Sequence, residues 1–119
     1  MAKAAYEGPP EKLALYEKLV ATIPDVTRKG AANPYTSRNG HMFSMLDKTG
    51  TLILRLPKDE LEVFLKKYKT ERPVLYGMEM REYAEVPDAL LKKTADLMKY
   101  FAASHDYVGS LKPKATKRK

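Results

Sequence analysis

The chain has 119 residues, enough for one domain with a buried core and too few for two. Its composition, 44% hydrophobic and 31% charged, is that of a folded globular chain, and the absence of cysteine excludes disulfides, thiolate nucleophiles and zinc sites with cysteine ligands. The formal net charge is +7, but five positive charges lie in residues 112–119, which leaves +2 for residues 1–111. The excess charge therefore indicates a basic tail rather than a basic binding face.

The first predicted elements are a helix, a short extended segment and a long loop. Apolar residues recur at three- and four-residue spacing after Pro10, which favours an amphipathic helix that Pro24 ends. Residues 26–29 are short and β-tolerant, and we take them as the first strand. Residues 30–40 are rich in turn formers and close on Asn-Gly, so they are predicted to form the longest loop of the chain.

A β-hairpin is the clearest feature of the middle of the chain. Residues 41–46 and 51–56 are strand-like, and Gly50 between them can take the positive φ that such a connection needs. Leucines at alternate positions of the second strand share one face, which is typical of a sheet with one well-buried side. One face of the sheet therefore needs a cover.

The C-terminal half predicts a helix, two strands and a last helix. The second helix begins after Pro57 and stops before Pro73, and two short strands lie on either side of Gly77. The last helix is predicted from Pro87 to about Ser104. The order α-β-β-β-α-β-β-α favours an α+β fold in which helices cover a mostly antiparallel sheet of about five strands.

Four segments resemble those of a known family, in this order: GHMFSML (40–46), GTLILRLP (50–57), MREYAEVP (80–87) and YVGSLKPK (107–114). They are similar to segments of bacterial proteins with a TfoX N-terminal-like domain. The resemblance covers about residues 13–114, and with the charge pattern it gives a single TfoX N-terminal-like domain over 1–111 and a basic tail over 112–119. It implies a fold like that of type III secretion chaperones.

The resemblance implies a regulatory function and no catalytic residues. Full-length TfoX proteins regulate natural competence together with a cyclic-AMP receptor protein, and they have a second domain to which no residue of this chain corresponds. The family has no active-site residue to transfer. The regulator role itself is therefore not implied directly, and what the resemblance favours is a regulatory or adaptor domain.

No catalytic, metal or nucleotide site is predicted. Ser104, His105 and Asp106 have the residue types of a hydrolytic triad, but three consecutive residues project in different directions, so a helix C-terminus is the preferred interpretation. His41 is the only other histidine, and no ligand spacing around it indicates a metal site. Neither a Walker-type run nor a dinucleotide fingerprint occurs. We expect no enzyme activity and no cofactor.

Two features are candidates for binding. At strand spacing, one set of methionines and tyrosines either belongs to the core or forms a partner surface: Met42, Met45, Met78, Met80, Tyr76 and Tyr83. The predicted loop adds Tyr35 and Arg38, residue types that are favoured in interfaces. The tail either contacts phosphates without sequence preference or keeps the protein soluble. Its cations are Lys112, Lys114, Lys117, Arg118 and Lys119.

The sequence thus favours a non-enzymatic, cytoplasmic adaptor or regulatory domain that binds a protein partner. No signal peptide or membrane span is found in the sequence, so no membrane contact is expected. The alternative is an accessory nucleic-acid-binding protein that uses the basic tail. Homodimerisation through an unpaired strand edge stays open, because a short chain with a five-stranded sheet has edges to protect.

Overall fold

The protein is described here by a computed structural model, which covers residues 6–30, 33–75 and 77–112. Within these ranges the predicted α+β class is confirmed. The elements, in chain order, are α1 (Pro10–Val20), β1 (Tyr35–Arg38), β2 (His41–Leu46), β3 (Leu52–Arg55), α2 (Lys58–Lys67), β4 (Val74–Leu75), β5 (Met78–Glu79), β6 (Tyr83–Val86), α3 (Asp88–Leu91) and α4 (Thr94–Ser110).

A four-stranded antiparallel sheet with the order β1-β2-β3-β6 forms the centre of the fold. The other two strands, β4 and β5, pair with each other as a separate ribbon around Gly77, whose φ is 77°. The antiparallel arrangement agrees with the sequence analysis, but the single sheet of about five strands is not found among the described residues. The ribbon takes up the segment that was expected to extend the sheet.

One face of the sheet, here called the core face, is fully covered. Leu52, Leu54, Ala84 and Val86 on this face are buried at 2% exposure or less. Each of the four helices contributes side chains to the same core, among them Tyr16 from α1. The helices therefore all lie on one side of the sheet, and the opposite side is here called the open face.

A bulge in β2 turns two consecutive side chains toward the core. Thr36 pairs with Ser44 and the next residue of β1 pairs with Met42, so Phe43 is the extra residue on β2. Phe43 and Ser44 are both buried, and the Phe43 ring packs 5.4 Å from the ring of Phe101 on α4. The bulge thus supplies an aromatic anchor for α4.

Proline begins the helices as the sequence predicted. Pro9, Pro57 and Pro87 have extended backbone conformations, and their carbonyl oxygens accept the first hydrogen bonds of α1, α2 and α3. The β2–β3 hairpin is also confirmed. Asp47 accepts hydrogen bonds from the backbone N–H groups of the turn, and Gly50 has a φ of 87°.

The loop predicted over residues 30–40 contains a strand instead. Residues 35–38 form β1, and Asn39 and Gly40, with φ values of 57° and 77°, form the two-residue turn into β2. Positive φ at both central positions is the geometry that Asn-Gly favours in hairpins. The segment 26–29 contributes only an isolated bridge between Lys29 and Tyr35, so the first strand lies later than predicted.

The predicted last helix is interrupted and longer than expected. Lys93 has φ −104° and ψ 74°, which separates α3 from α4. In one continuous helix, Leu91 would lie about 100° around the axis from the stripe of Leu97, Phe101 and Val108. The break allows Leu91 to be buried together with that stripe. Within the described residues, no helix is long and apolar enough to cross a membrane.

Candidate interaction surfaces

The open face carries a row of side chains that crosses all four strands. Tyr35 pairs with Met45, Met45 with Ile53, and Ile53 with Glu85, and residues paired in this way point to the same face. Ile53 is only 1% exposed although it is not part of the hydrophobic cluster on the core face, and its three neighbours are half-buried. The row therefore presents two half-buried apolar side chains, Tyr35 and Met45, and one carboxyl, Glu85, around a buried isoleucine.

Met42 and Tyr83 extend this surface toward the end of the sheet. The Tyr83 hydroxyl donates a 2.6 Å hydrogen bond to the carbonyl oxygen of Met42, across the intervening strand β3. Burial raises the pKa of Tyr83, and burial followed by the Glu71 charge raises the pKa of the Glu85 carboxyl. The open-face surface, comprising Tyr35, Met42, Met45, Ile53, Tyr83 and Glu85, is thus partly desolvated before any partner binds.

The structure brings together only part of the predicted partner surface. Tyr35, Met42 and Tyr83 lie on the sheet as described. Arg38 is turned toward α4, and Met80 lies after the ribbon, where its N–H donates to the Pro73 carbonyl. Tyr76 lies outside the described residues. Met45, one of the methionines considered for this surface, lies on it as well, whereas Ile53 was not among the predicted residues, although its alternation in the strand could have indicated it.

The β1–β2 turn is tied to the C-terminus of α4. The Asn39 amide donates hydrogen bonds to the carbonyl oxygens of Val108, Gly109 and Leu111, at 3.2, 3.0 and 3.4 Å. His41 Nε2 donates a 2.9 Å bond to the carbonyl oxygen of Lys112. These side chains take the place of the solvent or capping groups that helix-terminal carbonyls need. They also fix the point at which the basic tail begins.

The Ser104-His105-Asp106 segment was expected at the C-terminal end of a helix. It lies inside α4 instead, because that helix continues to Ser110. Ser104 is buried and its hydroxyl donates to the Phe43 carbonyl, whereas Asp106 is exposed. His105 Nδ1 instead accepts a 3.1 Å hydrogen bond from Arg38, so the imidazole is neutral. Burial and the Arg38 charge lower the pKa of His105. The three side chains do not form a triad.

A charged network borders a cleft of about 320 Å³ beside α2, the ribbon and α4. Arg55 pairs with Glu82 through Nε at 2.6 Å, and its guanidinium lies 5.6 Å from the centre of the Tyr107 ring. Arg72 pairs with Glu62 at 2.7 Å. Glu62 and Glu82 are thus held by arginines, while Glu79 and Lys58 also line the cleft without an ion pair among the described residues. In the described residues no three His, Asp or Glu side chains cluster as metal ligands.

Comparison with known proteins gives no relative. No family model, no curated protein and no solved structure matches the sequence. The similarity to TfoX N-terminal-like domains therefore rests on the four sequence segments alone.

A second surface, which the sequence analysis missed, is basic. Lys67, Tyr68, Lys69 and Lys93 line a shallow depression of about 360 Å³ where the end of α2 meets the α3–α4 junction. Tyr68 and Tyr100 share a hydroxyl contact of 3.2 Å, and Lys99 lies over the Tyr100 ring at 5.5 Å. We call Lys67, Tyr68, Lys69, Lys93, Lys99 and Tyr100 the lysine–tyrosine patch.

This patch corrects the expectation that the body has no basic face. Residues 64–70 and 90–100 contain six lysines and one acidic residue, Asp96, whereas the rest of the described chain holds 11 Lys and Arg against 14 Asp and Glu. The net charge of residues 1–111 is only +2, but the positive and negative side chains are unevenly distributed over the fold. The two segments lie 20 positions apart in the sequence, so only the fold shows that they are neighbours.

Proposed function

We propose that this chain is a non-enzymatic regulatory or adaptor domain of the TfoX N-terminal-like type, which binds a protein partner through the open face of its sheet. The observation that carries the proposal is the row Tyr35–Met45–Ile53–Glu85, which lies on the face opposite the helices and presents half-buried Tyr35 and Met45 beside the Glu85 carboxyl. Aromatic residues and methionine are enriched in protein interfaces, and methionine side chains adapt their shape to a partner.

The chemistry of the described residues supports an adaptor rather than an enzyme. The Ser104 hydroxyl donates to the Phe43 carbonyl and not to His105, and Glu82 in the charged cleft is engaged by Arg55. The arrangement offers surfaces and no convergent acid, base or nucleophile. Transcription or competence regulation through a protein partner in the bacterial cytoplasm is the biological setting that the sequence resemblance suggests.

The proposal is tested by affinity capture from bacterial lysate with full-length, monodisperse bait. Met45→Lys places a charge in the centre of the open face, and Val63→Lys is the matched control, because Val63 is 63% exposed on α2. We expect the wild type and the Val63 variant to capture the same protein and the Met45 variant to lose it. Capture that Met45→Lys does not weaken, or no captured protein at all, would contradict the proposal.

The alternative function is nucleic-acid binding through the basic tail. It is favoured by the five cations of residues 112–119 and by the His41 contact, which holds the start of the tail against the domain. Lys112 is exposed, while Lys114, Lys117, Arg118 and Lys119 lie outside the described residues. Replacing all five cations by glutamine tests it. If the tail binds DNA, the plot of log affinity against log salt for a labelled duplex should be less steep for this variant than for the wild type. The difference in slope should be at most about 4.5.

A second copy of the chain is also a candidate partner for the open face. Light scattering at increasing protein concentration distinguishes this case from a different protein partner, and Met45→Lys would then prevent dimer formation while Val63→Lys would not. A mass that stays at the monomer value leaves the heterologous partner as the proposal.

A further inference from the structure

The lysine–tyrosine patch has unpaired positive charge. Its four lysines, Lys67, Lys69, Lys93 and Lys99, are exposed, and none of them forms an ion pair with a described acidic residue. In contrast, Arg28, Arg55 and Arg72 on other surfaces are each paired with a glutamate. The charge of the patch is therefore available for an anionic ligand.

The patch also has an apolar and aromatic component. Pro87, Ala89 and Leu90 line the depression together with Tyr68 and with one carboxylate, Asp96, and Lys67 Nζ lies 5.4 Å from the centre of the Tyr68 ring. Tyr68 and Tyr100 pack edge to face with ring centres 5.9 Å apart. Binding of phosphates needs only cations. In the lysine–tyrosine patch the cations surround an apolar depression beside Tyr68, where a flat ring can pack.

The backbone at Lys69 is a second sign that the lysine side chain matters. Lys69 has a φ of 52°, and the Thr70 N–H donates to the Leu65 carbonyl, which is the helix-ending motif that usually carries glycine at this position. A lysine there costs about 1 kcal/mol relative to glycine, because its Cβ crowds the following carbonyl in the left-handed conformation. The chain therefore holds a charged side chain at this position at the expense of some stability, which is typical of functional positions.

We infer that the lysine–tyrosine patch binds single-stranded nucleic acid, with the lysines contacting backbone phosphates and Tyr68 stacking on a base. Alternating cations and aromatic rings fit the alternating phosphates and bases of a single strand, because every base offers a stacking face whatever its sequence. A duplex hides its bases and would leave the apolar part of the depression unused. This inference does not depend on the proposed function of the open face.

The test is fluorescence anisotropy of a labelled 12-nucleotide thymidine oligomer with the full-length protein. The triple variant Lys67→Gln, Lys69→Gln and Lys93→Gln is compared with a control that replaces three exposed lysines elsewhere, Lys18, Lys29 and Lys48, by glutamine. Both variants lower the net charge equally. We expect the patch variant to bind at least tenfold more weakly at 50 mM salt and to lose about 2 from the log–log salt slope, while the control changes little.

Tyr68 separates stacking from simple charge attraction. Tyr68→Phe keeps the ring and should bind as the wild type does, while Tyr68→Leu should weaken binding about fivefold or more. Circular dichroism on each variant establishes that the fold is retained. Equal losses in the patch and control variants would overturn the inference.

Two further outcomes would also overturn it. If the variant with five neutral tail residues loses all binding while the patch variant keeps it, the site is the tail. Tighter binding to a 12-base-pair duplex, or to vesicles containing anionic phospholipid, would contradict the single-stranded ligand.

Discussion

The buried hydroxyl cluster on the core face yields a prediction that runs against residue size: Ser44→Ala should destabilise the protein more than Tyr16→Phe. Ser44 Oγ lies 2.6 Å from the Tyr16 hydroxyl and 2.5 Å from the Thr36 hydroxyl, and all three side chains are completely buried. Ser44→Ala leaves both neighbouring hydroxyls without this partner, whereas Tyr16→Phe leaves the Ser44–Thr36 bond in place.

The expected magnitudes follow from this difference. An intact hydrogen bond contributes about 1 kcal/mol net, but each buried hydroxyl left unsatisfied costs about 1–3 kcal/mol. We therefore expect a loss of about 1 kcal/mol in the free energy of unfolding for Tyr16→Phe and about 2–4 kcal/mol for Ser44→Ala. In the double variant the Tyr16 hydroxyl, which Ser44→Ala alone would leave unsatisfied, is absent. The total loss in the free energy of unfolding should therefore be smaller than the sum of the two single losses.

Urea denaturation at pH 7, followed by circular dichroism, measures all four proteins. The reasoning would be refuted if Tyr16→Phe cost as much as Ser44→Ala, or if the two losses simply added.

The same variants make a pH prediction, because burial raises the pKa of Tyr16 to about 12. The phenol is favoured in the folded state, so its contribution is intact below pH 10 and is lost as the pH rises toward 12. The free energy of unfolding of the wild type relative to Tyr16→Phe should therefore fall by about 2–3 kcal/mol across that window, so that Tyr16→Phe becomes the more stable protein near pH 12.

Three other predictions concern the surface elements. Asn39→Gly keeps the positive φ but removes the bonds to the end of α4, so it should cost about 1 kcal/mol in urea denaturation, and Asn39→Ala, which also strains the turn, should cost more. Lys69→Gly should raise the free energy of unfolding by about 1 kcal/mol and weaken oligonucleotide binding; a loss of stability would contradict the backbone argument. Because burial and Arg38 lower the pKa of His105, wild-type stability should decline as the pH falls below 6.5, and His105→Gln should remove that part of the decline in pH-dependent thermal melts.

The parts of the fold that were predictable have strong local signals. Proline before each of three helices and Gly50 in the central hairpin specify the backbone whatever surrounds them. β1 was missed because its sequence, YTSR, is polar and is a strand only through its pairing with β2. The Asn-Gly turn that follows it was a usable hairpin signal.

Other features depend on contacts that no local pattern encodes. The break at Lys93 occurs without proline or glycine, and its reason is the joint burial of Leu91 and the α4 stripe. The lysine–tyrosine patch joins segments that are distant in the sequence, so the net charge of the body concealed it. The open-face surface was partly predictable, since Tyr35, Met42, Met45 and Tyr83 were candidates. Arg38 was also expected on it, but it donates a hydrogen bond to His105 on α4 instead.

The central claim is that the open face of the sheet is where a protein partner binds, and the methionines can test it directly. Met42 and Met45 belong to the open-face surface, whereas Met98 is 43% exposed on α4. Nuclear magnetic resonance of the ¹³C-labelled methionine methyl groups, recorded while the captured partner is added, would show which of them enters the interface. We predict shifts or broadening at Met42 and Met45 with Met98 unchanged. A response at Met98 without one at Met45 would contradict the account.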